Sequence, residues 1–138
     1  MKVVKPTRYQ HSVVCQNGFF NPSTGLEFVK IADGEVQTSL VATEQAQGYD
    51  GVMHGGMVSS LHDSAMVHTL FALNIHAMTV ELTVRFIAPV PLYTPLRVVA
   101  RQINQRRNIH YLESEIWANG ERCSRASAKF IHQMRDAD

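Results

Sequence analysis

The chain has 138 residues, 45% hydrophobic and 18% charged, with 13 Lys plus Arg against 12 Asp plus Glu and a formal net charge of +1. That length suits one domain, residues 1–138, with a core that needs no staples. Nothing in the near-neutral balance suggests the concentrated basic face of a nucleic-acid module, and Arg106-Arg107 is too small a cluster to argue for one.

Cys15 and Cys123 belong to no CxxC pair, which argues against a zinc site or a disulfide framework. No run approaches the ~20 apolar residues that span a bilayer. Residues 1–14 lack the apolar run of a signal peptide and are expected to be irregular. The expectation is a soluble cytoplasmic protein with no membrane or nucleic-acid partner.

Residues 1–24 carry turn chemistry at Asn17-Gly18 and Asn21-Pro22-Ser23-Thr24-Gly25. Residues 26–31 and 36–43 read as two strands, with Asp33-Gly34 as the hairpin signal between them. A polar connection, 44–54, leads to one long helix over 56–73, which ends before Asn74, a residue tolerated in the left-handed conformation of a helix stop. Its apolar residues, from Met57 and Val58 to Phe71 and Leu73, cover most of the circumference, so other structure should wrap it. Met78, Val80, Leu82, Val84 and Phe86 then alternate with Thr79, Glu81, Thr83, Arg85 and Ile87, a strand with one core face. Pro89, Pro91 and Pro95 break the chain. Strands over 96–104, 109–117 and 122–131 follow, with hairpins at Arg107-Asn108 and Asn119-Gly120. The layout predicts an α+β domain: two strands, a buried helix, then a four-strand antiparallel meander curling around it.

A carboxylate within this apolar helix needs an explanation. Asp63 lies seven residues after Gly56, so the two share an angular position about 10 Å apart along the axis, with Ser59 and Ser60 on the same polar stripe. An unpaired buried carboxylate is costly, so Asp63 is either hydrogen-bonded, open to a cleft, or both. Two readings stand: solvent reaches it through a gap, or it performs chemistry. Gly55 and Gly56 let a ligand approach backbone amides that have no partner within the helix. Aided by the helix dipole, such amides stabilise charge developing on a carbonyl oxygen. One carbonyl group cannot reach the Gly56 amide and the Asp63 of the same chain across that distance. A symmetric dimer, in which the neighbour supplies Asp63, resolves this.

The run Gly48-Tyr49-Asp50-Gly51-Val52-Met53-His54-Gly55-Gly56, then Leu61-His62-Asp63, then Phe86-Ile87-Ala88-Pro89, resembles the hotdog-fold thioesterase superfamily, specifically its hydroxybenzoyl/phenylacetyl-CoA thioesterase type. The segment from Cys15-Gln16-Asn17-Gly18 to Asn21-Pro22-Ser23-Thr24-Gly25-Leu26 resembles the lead-in of many members. The resemblance spans about residues 15–131. It implies a hotdog fold, an antiparallel sheet wrapped around one central helix, and an acyl-CoA substrate with no cofactor. It implies catalytic roles for Asp63 as nucleophile or general base, for Gly56 as oxyanion donor, for His54 in shaping the turn near the thioester, and for Thr79 in orienting water. Gly55, Gln47, Ser60 and Met57 are its expected substrate contacts, with Gln47 near the place where some members carry Asn or Gln. It also implies a dimer joined edge to edge through its sheets, often paired again into a tetramer.

Asp50 is a possible rival acid, although a loop Asp before glycine commonly serves a turn. No HExxH-type spacing makes His54, His62, His68 and Asp63 a metal site, so core-satisfied or exposed histidines are expected. Ser59 and Ser60 lack a nucleophile elbow. Arg101, Arg106 and Arg107 suit either coenzyme A phosphates or solvent. Beside thioester hydrolysis stand two alternatives: a hotdog dehydratase or hydratase, disfavoured because the helix has no Glu, and a non-catalytic acyl-CoA-binding protein, disfavoured because a binder has no need of Asp63. The size of the acyl pocket depends on Met57, Leu61, Phe71 and residues of the neighbour.

Overall fold

A computed structural model describes residues 1–10, 12–15, 20 and 25–132. The expected turns at Asn17-Gly18 and Asn21 to Thr24 lie outside these. The elements in chain order are β1 (Val29–Ala32), β2 (Glu35–Val41), α1 (Gly55–Ala72), β3 (Ala77–Phe86), β4 (Pro95–Arg106), β5 (Ile109–Ala118) and β6 (Glu121–His132). Three reversals sit where the sequence marks them. Gly34 has φ +68°, Arg107 has φ +57°, and Asn119-Gly120 has φ +53° and +75°, the left-handed pair a two-residue hairpin demands. Asn74, at φ +60°, stops the helix.

The six strands form one antiparallel sheet in the order β1-β2-β4-β5-β6-β3. This corrects the expected meander, because β3 pairs with β6 and leaves the place beside β4 to β2. The proline-containing segment after β3 cannot form a tight hairpin. It instead carries the chain back across the sheet end: Ile87 and Ala88 donate to the Cys123 carbonyl, Met53 donates to Val90 O, and Tyr93 donates to Ala42 O. The crossing segment therefore packs on the loop that leads into α1.

The helix lies against β2 to β6, with Val58, Leu61, Ala65, Met66 and Leu70 fully buried. Across the sheet Leu112 and Ile116 of β5 and Phe130 of β6 alternate inward, as period two requires. β3 departs from its expected pattern. Of the five residues expected on its core face, Leu82 and Val84 alone are half-buried, while Met78, Val80 and Phe86 are 60%, 57% and 56% exposed. The physical reason is position: β3 is an edge strand, and a register shift between Thr79 and Glu81 changes the phase of its side chains. Among the described residues no helix is long and apolar enough to cross a membrane.

Candidate active site

The start and the middle of α1 gather the expected residues. At its start, His54 is the N-cap, and its Nδ1 accepts the Gly56 N–H at 2.9 Å. The glycine is needed there, since a Cβ at position 56 would stand 3.2 Å from both Nδ1 and Cε1 of the ring. His54 O accepts from Met57 and Val58. The Gly56 amide, expected to be the oxyanion donor, is thus occupied. The first amide of the helix, Gly55 N–H, has no acceptor among the described residues and has no partner one turn back. Because Nδ1 accepts, the neutral imidazole carries its proton on Nε2, a second donor at the helix start. The Phe86 ring flanks the position, 3.7 Å from where a Gly55 Cβ would be.

The loop before the helix is braced rather than open. Gln47 Oε1 accepts from Gly51 N–H at 2.9 Å, and Gly48 N–H donates to Val52 O. Asp50 is an exposed turn residue. Ser59 and Ser60 donate to Gly55 O and Gly56 O at 3.1 and 2.9 Å, so both hydroxyl protons serve the helix backbone. Met57 is half-buried against the core.

Two turns on, Asp63 is half-buried, and Thr79 Oγ1 donates to its Oδ1 at 2.6 Å. No partner for Oδ2 exists among the described residues. Burial raises the Asp63 pKa, and the Thr79 hydrogen bond opposes that rise. The carboxylate borders a cleft of about 510 Å³ lined also by Tyr9, Val67, Phe71, Met78 and Thr79. Tyr9 was not expected. It comes from the N-terminal segment and packs edge-on against Phe71 and His68, at centroid distances of 4.9 and 5.8 Å. Burial pushes its hydroxyl up to about 12, with the nearby Asp63 adding to the rise. A single aromatic in an aperiodic segment carries no sequence signal of this contact.

The two helix histidines are core groups. His62 Nδ1 lies 2.5 Å from Ser114 Oγ and Nε2 lies 2.8 Å from Ser124 Oγ. Ser124 donates its own proton to Arg85 O, so it accepts from Nε2–H, and Ser114 donates to Nδ1. His68 Nδ1 donates to Ser64 O at 2.7 Å, and its ring stacks on Phe28 at 4.5 Å. Burial pushes both imidazoles down to about 4. No group of His, Cys, Asp or Glu among the described residues is placed to hold a metal ion. Arg101 pairs with Glu113 at 2.7 Å, and Arg106 and Arg107 are exposed at a hairpin.

The sequence pattern of the thioesterase superfamily matches residues 50–124, more than half of the chain, including both ends of the site. No curated protein matches. Among solved structures, a hypothetical thioesterase protein of Streptococcus pneumoniae, determined with coenzyme A, is 19% identical with TM-score 0.74, covering 79% of this chain and 89% of that one. A Streptococcus mutans protein bound to acetyl-CoA is 15% identical, TM-score 0.74, with 80% and 90% covered. A conserved protein of Pseudomonas aeruginosa is 25% identical, TM-score 0.71, with 79% and 89% covered. The pneumococcal protein has also been solved as an Asp→Ala and as a Thr→Ala variant, at positions 16 residues apart. Asp63 and Thr79 are likewise 16 residues apart.

Proposed function

Since the chain belongs to the thioesterase superfamily and has its hotdog fold, we propose that it hydrolyses acyl-coenzyme A thioesters at a site made of Asp63, Thr79, Gly55 and His54. The observation that carries this reading is Asp63 itself: a half-buried acid on a core helix, one oxygen held by Thr79 and the other left over. The thioester carbonyl oxygen accepts from the Gly55 N–H and the His54 Nε2–H, where the helix dipole favours negative charge. This moves the oxyanion role from Gly56 to Gly55 and leaves Gly56 to admit the His54 ring. Asp63 then attacks the carbonyl carbon, expelling the thiolate and leaving an acyl anhydride for water to cleave, or it takes a proton from an attacking water. Burial strengthens the carboxylate as a base, and Thr79 offsets part of that effect.

Gly55 and Asp63 of one helix are about 12 Å apart, so each site takes its acid from a second copy. The β3 edge supports that arrangement. It is ten residues long and exposes Met78, Val80 and Phe86, whereas β1 at the opposite edge is four residues long and partly covered by Lys2. Full-length antiparallel pairing of two β3 strands lays the Thr79 end of one beside the Phe86 end of the other. Within each chain those ends hold Asp63 and flank Gly55 respectively. A homodimer is the minimum unit, and a dimer of dimers keeps the same sites. The acyl-CoA substrate and the two free thiols, Cys15 and Cys123, favour the cytoplasm.

The test is thiol release from a panel of acyl-CoAs by wild type and by Asp63→Ala. The substitution should lower turnover at least about a hundredfold while the fold is retained. Equal activity in the variant would refute the assignment, and no release from any thioester would favour a binding protein or a dehydratase.

A further inference from the structure

The outer face of the sheet, turned away from α1, carries a second polar constellation. On β3 and β6, Arg85 is the direct register partner of Arg125, and Thr83 is the partner of Ser127. Partners in antiparallel strands have Cβ atoms about 5 Å apart, and like charges so placed repel. Arg85 and Arg125 are both exposed and have no ion-pair partner among the described residues. Neither hydroxyl beside them has a partner there either. Three other arginines of this face are engaged. Arg101 is held by Glu113 and Arg122 by Glu115, each at 2.7 Å, and Arg97 lies over the Trp117 ring at 5.8 Å. Arg85, Arg125, Thr83 and Ser127 line a concavity of about 460 Å³ together with those two neutralised pairs. The paired carboxylates Glu115 and Glu113 are the β5 register partners of Arg125 and Ser127, but each is held by its own arginine.

Four donors with no acceptor among the described residues, in a patch whose two carboxylates are already paired, call for a ligand rich in acceptors. We infer that Arg85 and Arg125 form a binding site for phosphate groups. Two guanidinium forks at this spacing match the several oxygens of a phosphate or diphosphate, and the hydroxyls of Thr83 and Ser127 add neutral donors. The site's place favours the phosphates of a coenzyme A thioester, a part of the inference that rests on the proposed function. Phe86 flanks Gly55 on the helix side of β3, and Arg85, its neighbour in sequence, belongs to the opposite face of the same edge strand. A ligand whose carbonyl meets the Gly55 amide crosses that edge as it leaves, and its phosphates trail to the outer face.

Calorimetric titration of inorganic pyrophosphate at low salt tests the site without any turnover. Wild type should bind, Arg85→Ala and Arg125→Ala should each weaken binding at least about tenfold, and Arg97→Ala should not. Both arginines are exposed. Arg85→Ala removes the like-charge contact and should melt no lower than wild type, whereas Arg125→Ala also loses Glu115 as a cross-strand neighbour and should melt only slightly below it. The source of the phosphate is read from KM. With substrate phosphates, KM for an acyl-CoA rises about tenfold in the variants at unchanged kcat, while the phosphate-free acyl-pantetheine is indifferent. Weakened pyrophosphate binding with an unchanged acyl-CoA KM assigns the site to a free phosphate anion. Absent binding in wild type, or equal binding in both variants, overturns the inference. So does a change of assembly mass in the variants without pyrophosphate binding, which makes the patch a protein interface. If no thioester is cleaved, the pyrophosphate titration still decides, so the two readings fail separately.

Discussion

His62 and Asp63 are consecutive residues of α1, turned about 100° apart, and they contrast a buried polar group that is fully hydrogen-bonded with one that is not. Burial penalises the charged form of each, lowering the imidazole to about 4 and raising the carboxylate. His62 spends both ring nitrogens on Ser114 and Ser124, so it is neutral and complete. Asp63 has Thr79 on one oxygen and, among the described residues, no partner for the other. A buried group with all its hydrogen-bonding capacity used stabilises the fold, whereas one with capacity left over can act on a ligand.

The contrast is broken most directly by exchanging the losses. His62→Ala strands two buried serines and opens a cavity, so stability should fall by about 4 kcal/mol while turnover per folded molecule is kept. Asp63→Ala should do the reverse. A His62→Ala protein that melts normally, measured by circular dichroism, removes the structural half of the comparison.

Acid titration sharpens it next. His62 and His68 have folded pKa values near 4, below the ordinary 6.5, so the unfolded chain takes up protons first as pH falls. Their stabilising contribution is complete above pH 6.5 and is lost on descending to about pH 4, by roughly 3 kcal/mol for each. Asp63, raised rather than lowered, works in the opposite sense, favouring the fold as pH falls. Denaturant midpoints at pH 7.5 and 5 should therefore differ in wild type, and by less in His62→Gln.

Thr79→Val removes the hydrogen bond that opposes the rise of the Asp63 pKa. The acid limb of the kcat/KM profile should move to higher pH, with a loss of about tenfold near neutrality. An unmoved limb would mean that the titrating acid is another group. Gly56→Ala should have the smallest effect on stability, within about 1 kcal/mol, because loss of the His54 cap is offset by the better helix propensity of alanine. Its Cβ would still displace the His54 ring, so turnover should drop severalfold. Undiminished turnover would separate the cap from the site.

Much of this was legible in the chain. The hairpins at Gly34, Arg107 and Asn119-Gly120, the stop at Asn74 and the helix itself are local, set by backbone conformation and period. Helix bounds differ by one residue at each end. The partner of Gly56 was not legible, because whether a histidine ring folds back over its own helix start depends on χ angles that spacing does not encode. The exposure of Met78, Val80 and Phe86 was hidden for another reason: alternation reports that a strand has two faces, not whether a neighbour covers either one.

The sequence by itself determined the elements, the buried helix and the presence of an acid on it, because propensity, periodicity and the cost of burying charge act within a few residues. Only the tertiary structure decided that β3 lies at the sheet edge beside β6, that Tyr9 lines the cleft, that Thr79 holds Asp63 and that Arg85 faces Arg125. Each of those is a contact between segments distant in the chain, and long-range pairing is chosen by how the whole sheet buries the helix.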